Sequence, residues 1–489
     1  LKDLLIDSGL RMKTFIAIWL VFLTACSGVP VSSQSPIPSP KPAPEPYVPE
    51  IPPLGKRKEI GRQFIQAALK EYEFVTDYEV IGQVNRVAGE ILQAMGKDPA
   101  DFHFFVVRQN QLNAFAVPGG YIFFFDGLLK ELKTVDALAG VTAHEIAHVT
   151  QDHFFKDEKK INAINLATMA SIILAGLAGE NVGATGVIGA GINISTQLQF
   201  SRKNEEDADI HAIDYLKKTD YNPWGLAEFF QTLSFYAGFT RGVAPPYFST
   251  HPGLSERRFM VETLMRDFPK RPKTTDDLTK NWQQDWGRMR AILGAQDLAS
   301  PITGAPENPV SSAGPHTARQ HYLAGVAAAR AGQLQIASEH YQAAIAAESA
   351  QAIYHADLSN VWMQLQKADL AKAAALESIR LSRDHATPYL VLGMIAQAES
   401  DHKTAVIHLE AAKNRAPAQA FIYLQLARSY HALKLPAKEK FSLGRYHRLN
   451  LEPGKAMLNF QNALSLLDPL SPLAFTTKKE MDQIALHGV

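Results

Sequence analysis

The spacing of apolar residues changes character several times along the chain. Behind Lys13, an unbroken apolar run from Phe15 to Leu23 is shorter than the roughly 20 residues that span a bilayer. After the turn signal Pro118-Gly119-Gly120, the stretch from Tyr121 reads as an apolar strand. Ala137, Leu138, Val141, Ile146 and Val149 then predict a buried helix, which Thr134 is placed to cap, with Asp136 in its positively polarised first turn. From Ile161 to Phe200 the only charge is Glu180, which with glycines at 176, 179, 183, 186, 189 and 191 divides the stretch into pieces too short to cross a membrane. A helix pair or lid over a cleft is expected there, with a membrane-associated segment as the alternative.

Beyond the polar stretch 301–315 the pattern becomes alanine-rich and periodic. Gly325, Ser359, Gly393 and Ala427 stand 34 residues apart, as do Ala337, Ala371 and Ala405. Tyr341, Ala375 and Leu409 keep the same period, followed by Ala344, Ser378 and Ala412. Small residues recurring where helices must touch predict an all-α tetratricopeptide-repeat array over 316–469. Its phase slips after Lys434, since Gly444, Ala456, Phe460 and Ala463 restart the pattern half a repeat early. Such arrays offer a concave surface to peptides or partner proteins; an appendage that only stabilises its neighbour is the alternative.

Composition narrows the function. The 489 residues carry 49 basic and 49 acidic side chains, which argues against nucleic acid as a partner. A single cysteine excludes an intramolecular disulfide framework and cysteine-rich metal sites. That residue, Cys26, ends a segment with the charged start and short apolar run of a secretory signal. Leu23-Thr24-Ala25-Cys26 resembles a bacterial lipobox, which implies lipidation of Cys26, and Ser27 in place of Asp points to the outer membrane. A buried free cysteine is the alternative. Residues 1–25 read as a misassigned start plus signal peptide, and 26–55 as a proline-rich tether reaching up to roughly 75 Å.

The sharpest chemical signal is VTAHEIAHVTQDH. His144 and His148, four apart on a helix, project both imidazoles from one face and can share a metal. Glu145 lies one position round, where it can address a metal-bound water. Two helical histidines beside a carboxylate and no metal is the plainer reading, so a third ligand decides. Gln151 and Phe154 occupy the positions where an extended HExxHxxGxxH motif needs Gly and His. Further on, SRKNEEDADIHAIDYL places Glu205 and Asp209 four apart. Glu205 can ligate zinc while Asp209 accepts the N–H of a ligating histidine and fixes its tautomer. A charged helix face is the ordinary alternative, but the pairing with HExxH favours a His2Glu site for one Zn2+.

These motifs join QVNRV at Gln83–Val87, NAFAVPGGYIFFFDGLL at Asn113–Leu129 and THPGLSERR at Thr250–Arg258 in one order along the chain. The set resembles metallopeptidase family 48, the HtpX and CAAX-protease group, and particularly its soluble periplasmic members. The resemblance puts Glu205 at the third-ligand position. It also implies that a strand at Gly119, Gly120, Tyr121 and Ile122 borders the cleft and pairs with extended substrate, since an unpaired edge offers main-chain hydrogen bonds to any peptide. An ordinary core strand is the alternative. His251, in the family's His-Pro motif, is expected to stabilise a tetrahedral intermediate or to reach the metal as a displaceable fourth ligand. Arg257 joins it as a catalytic candidate, and a surface histidine packed on Pro252 is the alternative reading for His251.

The expected whole is an α+β zinc metallopeptidase domain at 56–270, mainly helical with a small sheet and an edge strand. A linker at 271–315, the all-α repeat array at 316–469 and a tail at 470–489 follow. The expected reaction is hydrolysis of polypeptides, with Glu145 taking the proton from a metal-activated water. The resemblance adds unfolded or misassembled outer-membrane proteins as clients, the barrel-assembly machinery as a partner of the repeats, and a periplasmic, lipid-anchored location. A zinc-stabilised repeat scaffold or chaperone with little proteolysis is the competing reading.

Overall fold

Helix α1 (Leu54–Glu71) opens the computed structural model, which describes residues 54–156, 200–239, 246–270, 285–294 and 317–489. The expectations placed on the signal segment, Cys26, the proline tether and residues 161–199 lie outside the described residues. Helix α2 (Tyr78–Ala94) starts at Asp77, whose carboxylate accepts from the amides of Glu79 and Val80 and satisfies two otherwise orphaned donors. Its buried face carries Val80, Val84, Val87 and Ile91, at the spacing of one helical stripe.

Three strands follow, β1 (His103–Val107), β2 (Ala114–Val117) and β3 (Tyr121–Phe125), in the order β1-β3-β2. β1 runs parallel to β3 and β2 antiparallel to it. Gly119 and Gly120 make the turn between β2 and β3 with φ of 91° and 92°, and a Cβ on Gly120 would lie 2.1 Å from the Asp101 carbonyl oxygen. The expected edge strand is therefore corrected. Tyr121 and Ile122 belong to the central strand, paired on both sides, and no residue of β3 is more than 1% exposed. YIFFF lacks the polar–apolar alternation of a half-exposed strand and suits one covered on both faces. Among the described residues, the strands that flank β3 are β2 and β1, the latter bridged on its outer side at Phe74–Val107.

Helix α3 (Asp126–Glu131) leads into α4 (Val135–Thr150), capped by the Thr134 hydroxyl, which accepts from the Ala137 amide at 3.1 Å. α4 is buried from Ala137 to His148 and packs against α2, β2, α5 (Arg202–Lys217) and α6 (Gly225–Phe239). The short α7 (Pro246–Thr250) and α8 (Leu254–Leu264) bring the His251–Pro252 segment against α5. Helix α9, residues 285–294, falls within the stretch expected as linker. Trp286, Met289, Ile292 and Leu293 are buried there at helical spacing, and Trp286 Nε1 donates to the Leu132 carbonyl at 3.3 Å, so this part is core and not spacer.

Ten helices follow, from α10 (Ala318–Arg330) to α19 (Pro472–His487). Between the two helices of successive hairpins, Gly332, Gln366, Ser400 and Lys434 take left-handed φ values of 75°, 60°, 61° and 56°. These turns keep the 34-residue period although their residue types differ. Leu451 repeats the turn at φ 56°, half a period after Lys434. The phase slip thus has a structural form: α17 (Pro436–Leu449) closes a hairpin with α16 (Ala420–Ala432) and opens the packing motif with α18 (Pro453–Leu464). Gly444 on α17 faces Phe460 on α18 as Gly325 faces Tyr341 and Gly393 faces Leu409, with a Cβ in each case within 2.7 Å of the neighbour.

The array is packed onto the half that precedes it within one compact unit, Pro49–Val489. Partly buried Arg288 of α9 pairs with Glu79 of α2 and with Asp357 and Tyr322 of the array. Arg330 pairs with Asp77 at 2.6 Å and with Glu79 at 3.1 Å. The stretch expected as a tail is helix α19, and the Tyr121 hydroxyl donates to its His487 carbonyl at 3.2 Å. Among the described residues, no helix is long and apolar enough to cross a membrane.

Candidate metal centre

Helices α4 and α5 lie side by side, and each contributes one face to a buried polar cluster. The four-residue spacing of His144 and His148 turns both rings the same way, and their Nε2 atoms are 3.0 Å apart. Glu205 enters from α5, with Oε2 3.6 Å from His144 Nε2 and Oε1 3.4 Å from His148 Nε2. His251 completes a group of four whose donor atoms all lie within 4.8 Å of one another. These residues fit a zinc ion. Two imidazoles and a carboxylate are borderline-soft donors of the right kind, and tetrahedral bonds of about 2.0–2.1 Å place neighbouring donors about 3.3 Å apart.

Buried atoms without partners point the same way. Both carboxylate oxygens of Glu145 and Nε2 of His251 are buried and have no hydrogen-bond partner among the described residues. These two groups face each other at 3.8 Å. The other ring nitrogen of His251 lies 3.0 and 3.1 Å from the two oxygens of Glu205, and its ring stacks on Tyr247 at 4.2 Å.

Around this cluster the structure places the remaining expected residues. Asp209 Oδ1 lies 2.9 Å from His144 Nδ1. Arg257 binds both oxygens of Asp209 through Nε and Nη2, and Nη1 donates to Glu205. Those bonds make Arg257 a support for the carboxylates. Gly119 and Gly120 line a cavity of about 290 Å³ together with His148, Phe154, Phe155, Phe200 and the β2 residues Ala116 and Val117. Tyr121 and Ile122 do not reach it.

Electrostatics sort the groups. Burial alone raises the carboxyls of Glu205 and Asp209, but His251 and Arg257 beside Glu205, and Arg257 beside Asp209, hold both below the usual range. For Glu145 burial prevails and pushes its pKa up, which suits a group that must take up a proton. Burial holds His148 well below its ordinary value, in the neutral form a metal requires. Burial also opposes protonation of His144, but Asp209 and Glu205 outweigh it and raise the pKa to about 9.

Sequence spacing misses several neighbours. Phe200 stacks on His148 at 4.0 Å, and Tyr247 carries a buried hydroxyl without a partner among the described residues. His153 and Asp207 also adjoin His148, and 148 to 153 is not a spacing that puts two side chains on one helix face.

Residues 77–263 match the sequence profile of Peptidase family M48. A Vibrio cholerae protein named for a beta-barrel assembly-enhancing protease is 31% identical over 173 residues, 34% of this chain and 35% of its own length. The mitochondrial metalloendopeptidase OMA1 of Schizosaccharomyces pombe is 27% identical over 228 residues, 46% of this chain and 63% of its own. The chain thus spans less than two thirds of either relative. The crystal structure of YrrB, a TPR protein, aligns with 32% of this chain and 90% of its own at 17% identity and a TM-score of 0.22. The profile covers α2 to α8 and so takes in both helices of the cluster and the His251 segment: this chain carries a peptidase family M48 domain at residues 77–263.

Proposed function

We propose that the chain is a zinc-dependent endopeptidase that hydrolyses unfolded or misassembled envelope polypeptides. The observation that carries this reading is the unpartnered carboxylate of Glu145 beside the buried His144, His148, Glu205 and His251 group. His144, His148 and Glu205 would hold the ion, which when bound supplies a water of lowered pKa and polarises the scissile carbonyl. Glu145 takes the proton and passes it to the leaving amine. Asp209 and Arg257 keep His144 and Glu205 in place. His251 donates Nδ1–H to Glu205, so Nε2 of the neutral ring is bare and available as a fourth ligand. The alternative role for the same side chain is to stabilise a developing oxyanion.

The repeat array serves to recruit partners, with the barrel-assembly machinery as the expected one. The name of the Vibrio relative supports that reading. A signal peptide, lipidation at Cys26 and a periplasmic location at the outer membrane complete the proposal.

The comparison of the wild-type chain with Glu145→Gln tests the enzyme. Equal zinc content and loss of cleavage of an unfolded membrane-barrel protein are expected; equal cleavage by both would overturn the reading. Cleavage by neither, with zinc bound, supports a zinc-stabilised scaffold or chaperone. One observation favours that second reading: none of His144, Glu145, His148, Glu205 and His251 is more than 2% exposed.

A further inference from the structure

His148 has a partner outside the metal cluster. Helix α4 ends at Thr150, and Asp152 takes a left-handed φ of 53°, which reverses the chain and folds His153 back against the helix it has just left. The His153 side chain is fully buried, its ring edge-on to that of His148 at 5.0 Å and 79°. Its Nδ1 lies 3.2 Å from His148 Nδ1, and its Nε2 lies 2.7 Å from Asp207 Oδ2 on α5. Lys156 Nζ, 3.8 Å from the same carboxylate oxygen, favours the ionised form of Asp207.

The proton positions follow from the donor inventory. An ionised carboxylate only accepts, so Asp207 requires a hydrogen on His153 Nε2. A neutral ring carrying that hydrogen leaves Nδ1 bare, and Nδ1 must accept. His148 Nδ1 then donates, which leaves the lone pair of His148 on Nε2, the atom that faces His144 and Glu205. We propose that His153 and Asp207 are positioning residues that fix His148 in the tautomer offering Nε2 to the metal. Helix α5 thereby serves both ligating histidines, Asp209 acting on His144 directly and Asp207 acting on His148 through His153.

This inference rests on the zinc reading, and its test separates the two. Zinc affinity is measured by chelator competition in the full chain carrying Glu145→Gln, so that turnover plays no part. Adding His153→Phe keeps a ring in the space but removes the acceptor, and is expected to weaken zinc binding about 10–100-fold. His153→Gln offers an amide oxygen in its place and is expected to lose no more than about threefold. Asp207→Ala, which frees His153 to take either tautomer, is expected to fall between them. Melting temperatures of the zinc-free chains are compared in parallel, and the proposal expects them to agree. Unchanged affinity in His153→Phe overturns the proposal, as does equal weakening by Phe and Gln. If His153→Phe does not fold, Asp207→Ala carries the test from its more exposed position, and unchanged affinity there overturns it. A parent chain that binds no zinc overturns the proposed function and this inference with it.

Discussion

Arg257 grips Asp209 with the edge of its guanidinium, Nε to Oδ2 and Nη2 to Oδ1, each at 2.7 Å. With its third contact on Glu205, it is the fixed cation between two carboxylates that stand one helical turn apart on α5. A lysine can neither fork nor span both groups. Arg257→Lys leaves a buried carboxylate uncompensated, a loss of about 3–5 kcal/mol, to be read from denaturant melts. The loss is expected to be smaller in saturating zinc, where the ion supplies part of the missing charge.

Chelation should therefore lower stability as well as activity. The zinc-binding state is the folded one, so free zinc at 100 times its Kd is expected to add about 2.7 kcal/mol. A melting temperature that ignores zinc concentration would contradict the site.

In the array, a Cβ on Gly393 would lie 2.7 Å from Leu409 Cγ. Gly393→Ala is expected to destabilise by about 1–3 kcal/mol through overpacking. Adding Leu409→Ala makes room for the methyl group, so the double variant should lose less than the sum of the two single losses in urea melts.

The charges joining α2 to the array predict an acid dependence. Burial raises the Glu79 carboxyl, but Arg288 and Arg330 outweigh it, and its folded pKa lies below the ordinary value of 4.5. A lowered folded pKa contributes stability that is complete above about pH 4.5 and lost as pH falls through the folded value. Stability measured from pH 6 to pH 3 should fall more gently in Glu79→Gln than in the wild-type chain.

Truncation at residue 316 is expected to mislead as a test of recruitment. It removes Asp357 and Tyr322 from Arg288, and Arg330 from Asp77 and Glu79. Loss of soluble, zinc-binding protein is the expected outcome, measured by yield and zinc content. A stable, active fragment would show that the array is a separable module.

Periodicity decides how much of this is legible in the sequence. A helix fixes the relation between positions four apart, so His144, His148, Glu205 and Asp209 stand out before any fold is known. The 34-residue recurrence of small residues announces the array for the same reason. Contacts made through a reversal of the chain have no such regularity. His153 reaches His148 only because Asp152 adopts a left-handed φ, and Gln366, Ser400 and Lys434 adopt it without resembling one another. The rank of β3 within the sheet depends on β1, which arrives from outside the hairpin, so the edge reading rests on one neighbour where two exist. Helix α9 is hidden by the polar sequence on either side of it.

The contact from Tyr121 to His487 spans 366 residues. Val489, just beyond helix α19, packs partly buried against the sheet-side core of Phe64, Phe115 and Tyr121. Contacts of such sequence separation close slowly. The sheet that borders the metal site is therefore completed only by residues that lie beyond the whole repeat array.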